Sequence, residues 1–218
     1  MERWATFDCY GTLIDWDGGI RAELERVFGD ERADELLDRY HEIEPEVQRD
    51  GTMSYRAVMT ETMRRLGADG GDEHALAEAL PGWRAFPEAH GALAEARRRG
   101  WRLAILSNTD DDYIAASQVQ IGVTFDEVVV AQEIGSYKPA HRHWEEFFVR
   151  TRAPREGHVH VGASVFHDVV PASELGLRTV WINRLGEVAP PDGRPTAELT
   201  DLFSLPETLD ELVPAAAG

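Results

Sequence analysis

The chain opens with a short apolar run, Trp4-Ala-Thr-Phe7, that stops at a carboxylate, Asp8. A run of this length bounded by a turn is the pattern of a buried strand. From residue 17 to about residue 80 the period changes. Ile20, Leu24, Val27 and Phe28 recur at helical spacing, then Leu36, Leu37, Tyr40 and Ile43, then Tyr55, Val58, Met59, Met63 and Leu66. Apolar positions three and four apart line one face of a helix, so this stretch predicts an inserted helical unit with no strand. Gly67, Gly70 and Gly71 end one helix, Asp72 starts the next, and Pro81-Gly82 stop it.

From Pro87 onward helices and strands alternate. Helices are expected over 89–99, 111–120, 141–151 and 169–175, and strands over 101–106, 128–131, 159–162 and 179–182. Strand, crossover and strand in series require a parallel sheet covered on both faces, an α/β fold. The triplet Arg97-Arg98-Arg99 before Gly100 places cations in a last helical turn, where they complement the helix dipole rather than form a binding patch. The proline- and glycine-containing stretch 186–200 reads as an exposed loop. Residues 202–212 are expected to close the core with a short strand and a helix begun at Pro206, and the tail 214–218 to fray.

Composition narrows the picture. A chain of 218 residues with 43% hydrophobic content can bury one full core and a smaller second unit. Cys9 is the single cysteine, so no internal disulfide forms, and no Cys/His cluster has metal-ligand spacing. The first strand begins at once, without a leader, and no apolar run approaches the ~20 residues of a membrane span, so a cytoplasmic location is expected. A formal charge of -18 disfavours nucleic acid and anionic membranes as partners. An anionic substrate would then depend on a few local cations.

The polar residues fall in a telling place. Asp8 follows the first expected strand, Ser107 and Asn108 the second, Lys138 comes after the third, and Asp168 after the fourth. In a parallel sheet these positions share the carboxyl edge, where open α/β sheets bind ligands. A carboxylate facing a lysine is held ionised and becomes a candidate nucleophile. Gly11 allows a tight turn after Asp8, and the Thr12 hydroxyl can bond a neighbouring carboxylate. Cys9 is expected on the opposite side of the strand from Asp8, in the core.

Phe7-Asp-Cys-Tyr-Gly-Thr-Leu13, Leu106-Ser-Asn-Thr109, Tyr137-Lys-Pro139, His167-Asp168 and Leu175-Gly-Leu-Arg-Thr-Val-Trp-Ile-Asn-Arg184 resemble, in order, the motifs of the haloacid dehalogenase superfamily, and most closely its L-2-haloacid dehalogenase branch. The resemblance implies a Rossmann-like parallel core (1–15 and 87–218) carrying an inserted α-helical cap (16–86). It implies Asp8 as nucleophile, Lys138 as its cation, and Asp168 orienting Lys138 and the hydrolytic water. Phosphatases of the superfamily carry a second Asp at the position of Tyr10, whereas the dehalogenase branch carries Tyr. A tyrosine of ordinary pKa about 10 is a poor acid at neutral pH, and a halide needs no proton to leave.

The implied reaction is hydrolysis of a short 2-haloacid to a 2-hydroxy acid of inverted configuration through an ester on Asp8, without metal or organic cofactor. Ser107 and amides near Tyr10 and Gly11 would hold the substrate carboxylate, Asn108 the departing halide, and a cap arginine, here Arg39, would complete the cradle. Ser164, His167 and Trp144 are further candidates for the site. His167 is either a base for ester hydrolysis or a helix cap, and Trp144 either lines the site or packs its helix. In Ala163-Ser-Val-Phe-His-Asp168, Val165 stands where the branch usually has Asn. A homodimer is also implied by the resemblance. A magnesium-dependent phosphatase of the same superfamily and a noncatalytic binding protein remain the alternatives.

Overall fold

In the computed structural model, residues 1–49, 51, 53–189, 191 and 193–215 are described. Six strands, β1 (Arg3–Phe7), β2 (Trp101–Ser107), β3 (Glu127–Val130), β4 (His158–Gly162), β5 (Arg178–Ile182) and β6 (Ala197–Leu199), form one sheet in the order β3-β2-β1-β4-β5-β6. Every pairing is parallel. The period-two geometry of β1 divides the core. Ala5 and Phe7 enter the larger cluster, which reaches into the helical segment, while Trp4 packs on the other face with Leu106, Val129, Trp144 and Phe147. Cys9 lies in the larger cluster, fully buried, as expected.

Between β1 and β2 come α1 (Trp16–Phe28), α2 (Asp30–Gln48), α3 (Tyr55–Leu66), α4 (Ala75–Ala79) and α5 (Ala89–Arg98), the first four being the expected helical stretch. The chain leaves and re-enters the sheet layer along paired crossings: Asp15 donates its N–H to the Arg84 carbonyl and Phe86 to that of Leu13, both at 2.9 Å. Asp15 then caps α1 by accepting from the Gly18 N–H. The helical segment is tied back to the sheet layer by Asp110, whose carboxylate accepts the N–H groups of Tyr55 and Arg56 at 2.8 and 2.9 Å and so caps α3 from outside.

After β2 follow α6 (Asp111–Ile121), α7 (Ala131–Ile134), α8 (Arg142–Thr151), α9 (Val170–Glu174) and α10 (Leu205–Leu212). Three expectations are corrected. β3 ends one residue early and Ala131 starts α7, because Glu127–Val130 already satisfies the pairing with β2. The last strand lies at Ala197–Leu199, inside the stretch read as loop, and nothing between 202 and 212 is a strand; three residues after Pro195 suffice to pair with the edge of β5. A π-turn, Val165–Val169, precedes α9. Of the tail expected to fray, residues 216–218 lie outside the described residues. No helix among the described residues is long and apolar enough to cross a membrane.

Candidate active site

The chain moves from β1 to β2 and β3 on one side, then returns to place β4 on the other side of β1. Strand order therefore reverses at β1, and a crevice opens at its carboxyl end. Asp8 occupies that point, held to β4 by its own N–H donating to the Val161 carbonyl at 2.9 Å. The chain then doubles back, with Leu13 and Ile14 both donating to the Cys9 carbonyl. Gly11, at φ +85°, takes the left-handed position this turn needs. Thr12 Oγ1 donates to Asp8 Oδ2 at 2.9 Å and accepts the Ala163 N–H at 2.9 Å, fixing the nucleophile candidate to the loop after β4.

Lys138 stands between two carboxylates, its Nζ 2.9 Å from Asp8 Oδ1 and 2.6 Å from Asp168 Oδ1. Asn108 holds Lys138 there: its carboxamide accepts the Lys138 N–H at 2.6 Å and donates to the Lys138 carbonyl at 3.0 Å. Gly162 makes room for Asp168, since a β-carbon there would sit 2.5 Å from the Asp168 side chain. Behind Asp168 runs a buried chain. His160 Nε2 lies 3.3 Å from Asp168 Oδ1, His160 Nδ1 2.8 Å from Thr6 Oγ1, and Thr6 Oγ1 2.9 Å from His158 Nε2. Burial lowers the pKa of both histidines, so both are neutral, and only one proton arrangement satisfies the chain. His158 donates to Thr6, Thr6 to His160 Nδ1, and His160 Nε2–H to Asp168.

Charge in the site is set by burial against Lys138. Burial lifts Asp8 to about 6 in spite of the ammonium beside it, with Asp168 adding to the rise. Asp168 goes the other way. Its burial is outweighed by Lys138 and by the hydrogen bond from His160, and it stays ionised well below the usual carboxylate range. Burial works against the Lys138 ammonium too, but the two carboxylates win and raise its pKa. Tyr10 stacks on Tyr55 and places its hydroxyl 3.0 Å from Ser117 Oγ. Burial pushes its phenol far above the ordinary value, so it is no proton donor to a leaving group.

A cavity of about 370 Å³ opens above this group. Of the residues expected in the site, Asp8, Tyr10, Ser107, Asn108, Lys138, Ser164, His167 and Asp168 line it, and Thr12 lies beneath them. Ser107 Oγ is buried at this edge and has no hydrogen-bond partner among the described residues. His167 Nδ1 lies 3.2 Å from Ser164 Oγ, and burial lowers the imidazole to about 4, so it is neutral at pH 7. Its backbone N–H also donates to Ser164 Oγ, the capping arrangement.

Two expectations fail. Arg39 is exposed and outside the cavity. On a helix of 3.6 residues per turn it points about 160° away from His41, and it is His41, with Glu44 and Gln48, that α2 presents to the cavity. Trp144 is fully buried on the far face of the sheet, edge-on to His160 at 5.0 Å, and does not line the cavity. Asn108 lines the site, but its amide is engaged by the Lys138 backbone, which makes it a positioning residue.

Sequence reasoning passed over Arg184. It follows β5 at the same carboxyl edge, donates to the Gly11 and Thr12 carbonyls, pairs with Glu88 at 2.8 Å and stacks on Phe86. The strand-end rule that found Asp8 applies equally to Asn183 and Arg184. Trp16, Asp17, His41, Glu44, Gln48 and Tyr55 complete the helical wall. Among the described residues no group of three or more His, Cys, Asp or Glu is arranged to hold a metal. Asp8 and Asp168 both turn an oxygen to Lys138, whose ammonium stands between them.

A family model for haloacid dehalogenase-like hydrolases matches residues 3–176. The (S)-2-haloacid dehalogenase of Pseudomonas sp. (strain YL) is 30% identical over 97% of this chain and 94% of its own length. A phosphoserine phosphatase of Thermus thermophilus is 34% identical over 54% of this chain and 48% of its own. The crystal structure of an L-2-haloacid dehalogenase superposes with a TM-score of 0.86 at 23% identity, covering 96% of this chain and 99% of that one.

Proposed function

Because the chain belongs to the haloacid dehalogenase-like hydrolase family, we propose that it hydrolyses the carbon–halogen bond of 2-haloacids with Asp8 as nucleophile. Asp8 Oδ attacks the α-carbon, the C–X bond breaks, and halide leaves with the bonding pair. Water then adds to the Asp8 carboxyl carbon, and the bond from that carbon to the ester oxygen breaks. Protons from the water go to the departing oxygen and to solvent, releasing the 2-hydroxy acid and restoring the Asp8 carboxylate. Lys138 keeps Asp8 ionised above about pH 6, while Asp168 holds Lys138 and shares in placing the water. Ser107 donates to the substrate carboxylate.

The observation that carries this reading is Tyr10. A phosphate ester or other alkoxide needs an acid beside the nucleophile, and here that place holds a phenol bound to Ser117 whose proton is held more tightly than in water. A halide leaves without one. The full-length likeness to a 2-haloacid dehalogenase supports the same choice, whereas the phosphatase likeness spans about half of the chain.

The test is halide release from L-2-chloropropionate and chloroacetate with EDTA present, run beside p-nitrophenyl phosphate hydrolysis with magnesium. Release that survives chelation and disappears in Asp8→Asn is expected. Magnesium-dependent phosphate release without halide would overturn the reading.

A further inference from the structure

The helical wall of the cavity is acidic and aromatic where a small anionic substrate would want cations. Glu44 is only 4% exposed, accepts from Gln48 Nε2 through one oxygen, and has no hydrogen-bond partner on the other among the described residues, although it lines the cavity. His41 Nε2 lies 3.2 Å from Asp17 Oδ1. Burial lowers the imidazole, but Asp17 outweighs burial and raises it. The two permanent cations of the cavity are also engaged, Lys138 by Asp8 and Asp168 and Arg184 by Glu88. Trp16 and Tyr55 sit beside Glu44 on this wall, joined by Trp16 Nε1 donating to the Tyr55 hydroxyl at 3.1 Å.

A buried carboxyl with an oxygen unpartnered among the described residues recognises a cation, because its charge is left without a hydrogen-bond donor. A three-carbon haloacid is far smaller than the cavity of about 370 Å³. We propose that Trp16, Asp17, Glu44 and Tyr55 form a subsite for a protonated amine, so that the substrate carries an ammonium group at the end remote from the carbon Asp8 attacks. This rests on the reading of Asp8 as the reacting group, but the subsite itself is independent of what leaves. Binding of the ammonium group favours ionised Glu44 and completes its hydrogen bonding.

The experiment is calorimetric titration of the full chain with straight-chain ω-amino acids from β-alanine to 6-aminohexanoate, each beside the unsubstituted fatty acid of equal length. One amino acid of the series is expected to bind at least tenfold more tightly than its fatty acid, and Glu44→Gln to bring the pair within twofold of each other. Asp17→Asn, a change at a half-exposed side chain, is expected to narrow the same ratio and serves if the Glu44 variant does not fold. Equal binding of every pair, or a preference untouched by both substitutions, overturns the subsite. Because these ligands carry no halogen, a protein that fails to release halide yet prefers the amines would refute the dehalogenase reading and leave the subsite standing.

Discussion

The two walls of the cavity treat buried charge in opposite ways. On the sheet side, Lys138 bridges Asp8 and Asp168 within 2.9 and 2.6 Å, and Asp168 is backed by His160 and, through it, Thr6. On the helical side, Glu44 is buried to a similar degree with Gln48 as its hydrogen-bond partner, and burial raises it to about 7. The Asp8–Lys138–Asp168 group is thus tied together before a ligand arrives, as a reacting group held in place should be. The helical wall is left short of a partner, as a recognition surface should be. On the proposed reading, reaction and selection are divided between the two layers of the fold.

The sharpest way to break this division is at Asp8. Asp8→Asn keeps the shape and removes the proposed nucleophile, so halide release is expected to fall on the order of 10,000-fold or more in a stopped or continuous halide assay. If instead the wild-type rate survives, the sheet wall is not where reaction occurs. The same carboxyl sets an acid limit. With Asp8 lifted to about 6, its protonated form grows as pH falls through that value, and kcat/KM is expected to drop about tenfold per unit below pH 6.

Stability separates the walls by sign. Lys138→Met leaves two buried carboxylates facing each other, and urea unfolding at pH 7 is expected to show a loss of about 3–5 kcal/mol. Glu44→Gln should do the reverse. A carboxyl raised from 4.5 to about 7 in the folded state contributes its full stability below pH 4.5 and loses it as pH rises through 7. The variant is expected to match the wild type at pH 4.5 and to exceed it by at most about 3 kcal/mol at pH 8, read as a melting temperature several degrees higher. A Glu44→Gln protein less stable than wild type at pH 8 would mean that Glu44 is partnered after all, and that the contrast between the walls is false.

The contrast also explains what could be read from the chain beforehand. Asp8, Ser107, Lys138 and Asp168 were legible because apolar runs mark strands and a parallel sheet puts the residues that follow them along one edge. Arg184 obeys that rule at the end of β5 and was missed for want of an assigned chemical role. β6 was hidden for a different reason: three residues on a sheet edge, beside prolines and glycine, leave almost no periodic signal. The helical wall was harder still. α2 carries charged residues around much of its circumference, and its phase is set by Leu36, Tyr40 and Val47 packing inward. A spacing argument finds such a helix but not which of its polar residues turn toward the cavity.

Arg39 and His41 make that last point testable at the smallest scale. The two lie two positions apart on α2, and the resemblance to L-2-haloacid dehalogenases pointed to the arginine as the cation that cradles substrate. In the structure Arg39 is exposed, and His41 lines the cavity beside Asp17. Arg39→Ala is therefore expected to change kcat/KM by less than twofold and stability by less than about 0.5 kcal/mol, the ordinary result for an exposed position. His41→Ala removes the imidazole that faces Asp17 and is expected to alter KM while leaving kcat for the smallest haloacid close to wild type. A large loss of kcat in Arg39→Ala would show that α2 turns or moves during turnover to bring the arginine to the halide, and would return the helical wall to the reacting machinery.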